Sequence, residues 1–180
     1  MKTKIVLLWA LVLFVADQIV KVVIDRFCIS VKFDIIPPLF YFKPTFNHQY
    51  SWINGLFGLG MGYWAHIFIY FCVAIIFVLL YDLMKTISDN KKIVNIAFIF
   101  GFAGVTSSFF GTVVWNGCLD YIYLKPFTVF DLKDLYANTF IILLLLYYLK
   151  NYRYLSRFKI KDINAHYTNR YKSIFGKQRK

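Results

Sequence analysis

Asp120 and Asp134 stand just outside the ends of two apolar, membrane-length runs and are joined by a short loop, in a chain of 180 residues that contains no glutamate. Two carboxylates brought close at a partly desolvated surface repel one another, so one keeps its proton while the other is ionised. An acid and a base then coexist at one pH. Such a pair can activate water against a peptide carbonyl and protonate the departing group, chemistry that needs no metal. The same placement also fits acids that only mark loop ends on a wet surface. Asp17 and Lys21 form a second set, four residues apart on one face of an apolar run. Charges at membrane depth are costly and neutralise each other at this spacing. They read as a structural pair or as a brace beneath a site at the far end of the first helix.

Other chemistries find little support. His48, His66 and His166 are scattered, no Gly-rich phosphate loop follows a strand, and no Gly-x-Ser-x-Gly elbow is present. The expectation is therefore no metal and no cofactor. Cys28, Cys72 and Cys118 lack metal-ligand spacing. Cys72 reads as buried packing, while Cys28 and Cys118 fall on the same side of the membrane and leave a disulfide between them open.

The elements that must position these acids are membrane helices. With 59% hydrophobic residues and a mean hydropathy of +0.57, the chain is more apolar than a soluble domain. Four apolar runs are long enough to span, at about 5–24, 63–83, 93–115 and 135–149. The last is short and is lengthened by snorkelling of Lys150 and Arg153. Met1-Lys2-Thr3-Lys4 before an apolar run resembles a signal peptide, but no small-x-small site closes the run and Asp17, Gln18 and Lys21 sit near its end, which favours a retained span. Fifteen Lys and Arg fall on one face of this layout, ten of them from Lys150 onward. Arg26, Lys32, Lys43, Lys125 and Lys133 are the five on the other. The basic face is expected to be cytoplasmic, with both termini inside and Asp120 and Asp134 facing outward. The tail, 151–180, is expected to lie on anionic lipid headgroups; with no recognition motif, its charge does not point to nucleic acid.

Between the first two spans, 25–62 reads as a small extracytoplasmic strand-rich lobe, with Val31 to Phe42 broken at Pro37-Pro38 and an interfacial segment around Trp52 to Leu59. A further hairpin, Tyr121 to Leu124 and Phe127 to Phe130 about Lys125-Pro126, joins the two aspartates. The fold class is thus an all-α polytopic membrane protein with four transmembrane helices and a β-rich lobe.

On these residues the chain resembles lipoprotein signal peptidase, or signal peptidase II, a four-span bacterial aspartyl protease. The family's Asp-Gln-x-x-Lys is present from Asp17 to Lys21. Its Asn-x-Gly-x-x-Phe is similar to Asn47 to Trp52, with the Asn and an aromatic retained. Its Val-Val-Asp-Phe is similar to Cys118-Leu119-Asp120-Tyr121, and its Phe-Asn-x-Ala-Asp to Phe130-Asp131-Leu132-Lys133-Asp134. The chain departs where the family carries Gly-Asn-x-x-Asp-Arg: Ser107 to Thr112 lacks both the Asp and the Arg, and Ser108 takes the Asn position. Asp131 replaces the second motif's Asn and adds a third acid near the pair.

The resemblance implies a catalytic dyad of Asp120 and Asp134, with Asp17, Lys21 and Asn47 shaping the site or meeting substrate; Trp52, an aromatic flanked by Asn54-Gly55, is expected to help clamp substrate, and Ser108 and Asp131, at departing motif positions, to support the site. It implies a monomer in the bacterial inner membrane that cleaves prolipoproteins before a diacylglyceryl-modified cysteine. A catalytically silent membrane scaffold of the same fold is the alternative. A small transporter is disfavoured because only Asp17 lies deep in a span.

Overall fold

The computed structural model describes residues 2–156 and 160–175. Four helices are long and apolar enough to cross a membrane: α1 (Thr3–Val23), α3 (Tyr63–Ile87), α4 (Lys91–Trp115) and α5 (Leu132–Leu155). A short α2 (Trp52–Phe57) and a C-terminal α6 (Ile160–Phe175) complete the helices, and one turn of π-helix, Ile24–Cys28, extends α1. The chain is a polytopic membrane protein by this architecture.

The span boundaries follow the hydropathy closely except at the fourth. That helix begins at Leu132, three residues before the apolar run, because Asp131 caps it: its side chain accepts from the Asp134 amide while the Asp134 side chain accepts from the Asp131 amide. This reciprocal capping box satisfies two otherwise unpaired donors. It also carries Lys133 and Asp134 into the first helical turn instead of a loop.

α4 is the hub, packed against α1, α3 and α5. The other three helices expose broad apolar surface, as at Leu8, Trp9, Phe68, Phe71, Leu145 and Leu146, which is the surface a bilayer covers. α4 buries small residues instead, among them Gly101, Ala103, Gly104, Ser107 and Gly111. Small side chains let helix backbones approach, the usual basis of close packing between membrane helices. A Cβ on Gly104 would stand 3.4 Å from the Lys133 carbonyl, so the first turn of α5 lies directly on this glycine. Farther along the bundle, Val6, Tyr81, Val94, Ala97, Phe98, Phe140 and Tyr147 form the buried cluster.

At the other end sits one antiparallel four-stranded sheet in the order β1 (Phe33–Ile36), β2 (Phe40–Asn47), β3 (Cys118–Leu124), β4 (Thr128–Phe130). The lobe is thus not built from 25–62 alone: half of its strands come from the segment between α4 and α5. Hydrogen bonding between β2 and β3 places Thr45 opposite Asp120 and Asn47 opposite Cys118. Period-two alternation then divides β3. Leu119 and Tyr121 pack on Ile24, Phe42, Phe46 and Leu132, and Cys118 and Asp120 point to the opposite face.

All three cysteines are free, so the open question of a Cys28 to Cys118 disulfide is settled against it. In the tail, α6 folds back on α3: His166 Nε2 lies 3.1 Å from Asp82 Oδ2, Arg170 lies 3.1 Å from Asp82 Oδ1, and the Tyr167 hydroxyl donates to the Leu79 carbonyl at 2.8 Å. Arg157, Lys159, Lys177, Arg179 and Lys180 of the basic tail lie outside the described residues.

Candidate active site

β3 brings Asp120 to the sheet face, and the first turn of α5 brings Asp134 beside it. Asp120, Asp131 and Asp134 each offer a carboxylate oxygen within 4.8 Å of the others. One water making two ordinary hydrogen bonds spans about 5.5 Å, so the two expected catalytic acids are within reach of a shared water. They open on a cleft of about 570 Å³ whose walls include Phe40, Trp52, Tyr70, Val129, Phe130 and Leu135, with Asn47, Ser51 and Asn138 as polar neighbours.

The turn before β3 sets the register of this arrangement. Asn116 ends α4 with φ of 49°, and Gly117 follows with φ of 155°. A Cβ on Gly117 would stand 2.8 Å from the Asn47 carbonyl, a separation no side chain tolerates. Glycine therefore allows β2 to approach closely here. The Asn47 side-chain amide then donates to Asp120 Oδ2 at 3.3 Å. Its side-chain oxygen accepts from the Gln49 amide at 2.9 Å, which fixes the orientation.

The cluster is held by two buried lysines. Lys21 Nζ lies 2.9 Å from Asp17 Oδ2 and 2.7 Å from Asp131 Oδ2, so Asp17 and Lys21 link α1 to the start of α5. Gln18 joins the same end of α1 to α4, donating to Asp17 Oδ2 at 2.8 Å and accepting from the Trp115 indole at 3.1 Å. Lys133 Nζ lies 3.1 Å from Asp120, 2.9 Å from Asp131 and 3.6 Å from Asp134. Three carboxylates at this spacing resemble a cation site, and the Lys133 ammonium is the cation among them.

Burial raises the Asp120 carboxyl above its ordinary range, with Lys133 and the Asn47 hydrogen bond pulling the other way. Burial would also raise Asp131, but the adjacent Lys133 and Lys21 ammoniums outweigh it and hold that carboxyl below its ordinary range. The Cys118 thiol is pushed up to about 11 by burial and is neutral at working pH.

The remaining expected site residues separate into two groups. Trp52 lines the cleft, 60% exposed, at the start of α2. α2 itself is held by Ser51, whose hydroxyl accepts from the Asn54 amide, and by the buried Asn54 side chain, which bridges the Gln49 and Met61 carbonyls. Ser108 also lines the cleft, but its hydroxyl donates to the Gly104 carbonyl within α4 and makes no hydrogen bond to the acids among the described residues.

Lys133 was missed as a site residue. It reads in sequence as one of five basic residues on the outward face, although its position between Asp131 and Asp134 was a usable signal. Tyr70 was missed as well, and only the fold brings it to the cleft.

The sequence model of the signal peptidase II family matches residues 9–150, most of the chain and every residue that lines this cleft. The chain belongs to the signal peptidase II family. A signal peptidase II is a protease that removes signal peptides from lipoproteins, and four apolar helices agree with a membrane enzyme. Two solved structures share the fold. A bacterial membrane enzyme determined by the in meso method at 2.3 Å resolution has a TM-score of 0.66 and 21% identity, over 89% of this chain and 96% of that one. Another of the same description, at 1.9 Å, has a TM-score of 0.65 and 22% identity, over 84% and 96%. No curated protein matches the chain. Among the positions of this signal peptidase II sequence that depart from the family pattern, Gly111 lies against Cys118, a Cβ there standing 3.7 Å from its sulfur, and Asp131 and Lys133 pair with each other in the acid cluster. An acidic and basic pair is missing from α4, and one stands at the start of α5.

Proposed function

We infer that the protein is an aspartic endopeptidase of the membrane surface, with Asp120 and Asp134 as its catalytic pair. It removes signal peptides from lipid-modified prolipoproteins by cutting before the diacylglyceryl cysteine. The observation that carries the reading is the convergence of the two carboxylates, from β3 and α5, within one water's reach at a cleft with apolar walls. The pair titrates as a unit holding one proton. Its ionised member takes a proton from water as that water attacks the scissile carbonyl, while its protonated member gives its proton to the carbonyl oxygen; on collapse the first passes the water's proton to the departing amine and the second takes a proton back from the hydroxyl, which restores the pair. Acyl chains lie along the exposed apolar helix faces, and the Trp52 side chain closes over the cleft mouth.

Both termini are cytoplasmic and the cleft faces outward from the bacterial inner membrane, a reading that rests on the asymmetry of Lys and Arg. The basic tail contacts anionic headgroups. Purified protein incubated with a lipid-modified prolipoprotein is expected to cleave it, and Asp120→Asn and Asp134→Asn to abolish cleavage with the fold retained. Cleavage surviving in either variant removes that residue from the pair. The Lys133 contacts with both acids favour one other reading, a silent scaffold of the same fold, which predicts no cleavage by the unaltered protein.

A further inference from the structure

Lys133 is an unusual occupant for a carboxylate pair that must keep one proton. Its side chain is 9% exposed and its ammonium reaches three acids, two of them at hydrogen-bond distance. The backbone leaves it little choice of position. Asp131 and Asp134 lock the first turn of α5 through the capping box, and Gly104 of α4 lies against the Lys133 carbonyl. Asp131 is shared between Lys133 and Lys21, which reaches the same oxygen at 2.7 Å. The same Lys133 ammonium stands 3.1 Å from Asp120 and 3.6 Å from Asp134, between the two members of the pair.

We propose that Lys133 is a positioning residue of the Asp120 and Asp134 pair, whose ammonium sets how tightly the pair holds its proton and thereby the upper pH limit of hydrolysis. The proposal deepens the aspartic peptidase reading and rests on it for the catalytic consequence only. A cation beside a carboxyl favours the ionised form, typically by about 1–3 pH units. With Lys133 present, the single shared proton leaves at lower pH. Without it, the proton is retained to higher pH and the active form persists with it.

The other groups facing the pair do not change charge in this range or do not change the argument. From α1 come Asp17 and Lys21, already paired with each other. From α3 comes Tyr70 and from β3 Cys118, and an ordinary phenol and this buried thiol are neutral below about pH 8. Asp131 remains ionised between its two lysines. Lys133 is thus the one cation directed at both members of the pair among the described residues.

The test uses the full-length protein in detergent micelles, labelled with ¹³C in its aspartate carboxyls. Asp120 is assigned by loss of its signal in Asp120→Asn. The Asp120 titration midpoint is expected to rise by about 1–3 pH units in Lys133→Met and to stay near the original in Lys133→Arg, which keeps the charge. The alkaline limb of kcat/KM for a lipid-modified prolipoprotein moves up by the same amount in Lys133→Met. An unchanged midpoint in Lys133→Met overturns the proposal, whatever happens to stability. Cleavage with an unmoved alkaline limb overturns it as well. If no protein cleaves but the midpoint shifts, the aspartic peptidase reading fails and the electrostatic role of Lys133 stands.

Discussion

Lys21 Nζ lies 2.7 Å from Asp131 Oδ2, and through this contact the first membrane helix holds the N-cap of the last. Both side chains are essentially inaccessible, and Asp131 also receives Lys133 at 2.9 Å. Removing one member of a buried ionic group leaves the others unpaired in a low-dielectric site, at a cost of about 3–5 kcal/mol. Asp131→Asn is therefore expected to lose about that much stability, because two ammoniums lose their common acceptor. Equilibrium unfolding in detergent micelles measures it, and a loss well under 1 kcal/mol refutes the assignment.

Acid should reveal the same group. The Asp131 carboxyl is held below its ordinary range when folded, so its stabilising contribution is complete above the unfolded value near 3.9 and is lost as pH falls through the lower folded value. The unfolding midpoint is expected to drop below about pH 4. Asp131→Asn should be less stable at neutral pH and should lack this part of the acid loss, a difference readable by thermal unfolding across pH 2–7.

Asn47 donates one hydrogen bond to Asp120, and that bond favours the ionised carboxylate. In Asn47→Ala, kcat/KM is expected to fall about tenfold, the equivalent of one hydrogen bond to a charged group of roughly 1.5 kcal/mol. The Asp120 midpoint should rise at the same time. A fall in activity without that rise assigns Asn47 to substrate contact alone.

Gly117 provides a purely steric test. Alanine there places a Cβ 2.8 Å from the Asn47 carbonyl on a backbone with φ of 155°, so β2 must shift away from β3 next to Asp120. Gly117→Ala is expected to cost about 1–3 kcal/mol and to lower kcat more than it raises KM. Steady-state kinetics beside thermal unfolding separate the two effects.

Trp52 stands exposed at the cleft, on a helix anchored by Ser51 and Asn54. If its ring clamps substrate, Trp52→Ala raises KM for a lipid-modified prolipoprotein by about tenfold, the value of one lost aromatic contact of ~1.5 kcal/mol, and leaves kcat near the original. Unchanged processing kinetics remove Trp52 from the site.

The sequence alone determined the helices, because roughly twenty consecutive apolar residues have few other stable fates, and three of four span boundaries fell within a few residues of the helix ends. It also pointed to Asp17 and Lys21, since ionisable groups at membrane depth carry a cost that demands a partner, and to Asp120 and Asp134 as two acids at the ends of apolar runs joined by a short loop. What it left open depended on contacts between distant segments. The 25–62 region and the hairpin after α4 read as separate strand pieces, and only pairing of β2 with β3 made them one sheet and brought Asn47 to Asp120. Lys133 read as a surface charge because a hydropathy run cannot show a capping box starting the helix three residues early. Once Asp131 caps α5 and Gly104 admits its first turn, that lysine has nowhere to place its ammonium but among the acids. Tertiary packing, through those two constraints, decided the electrostatics of the site.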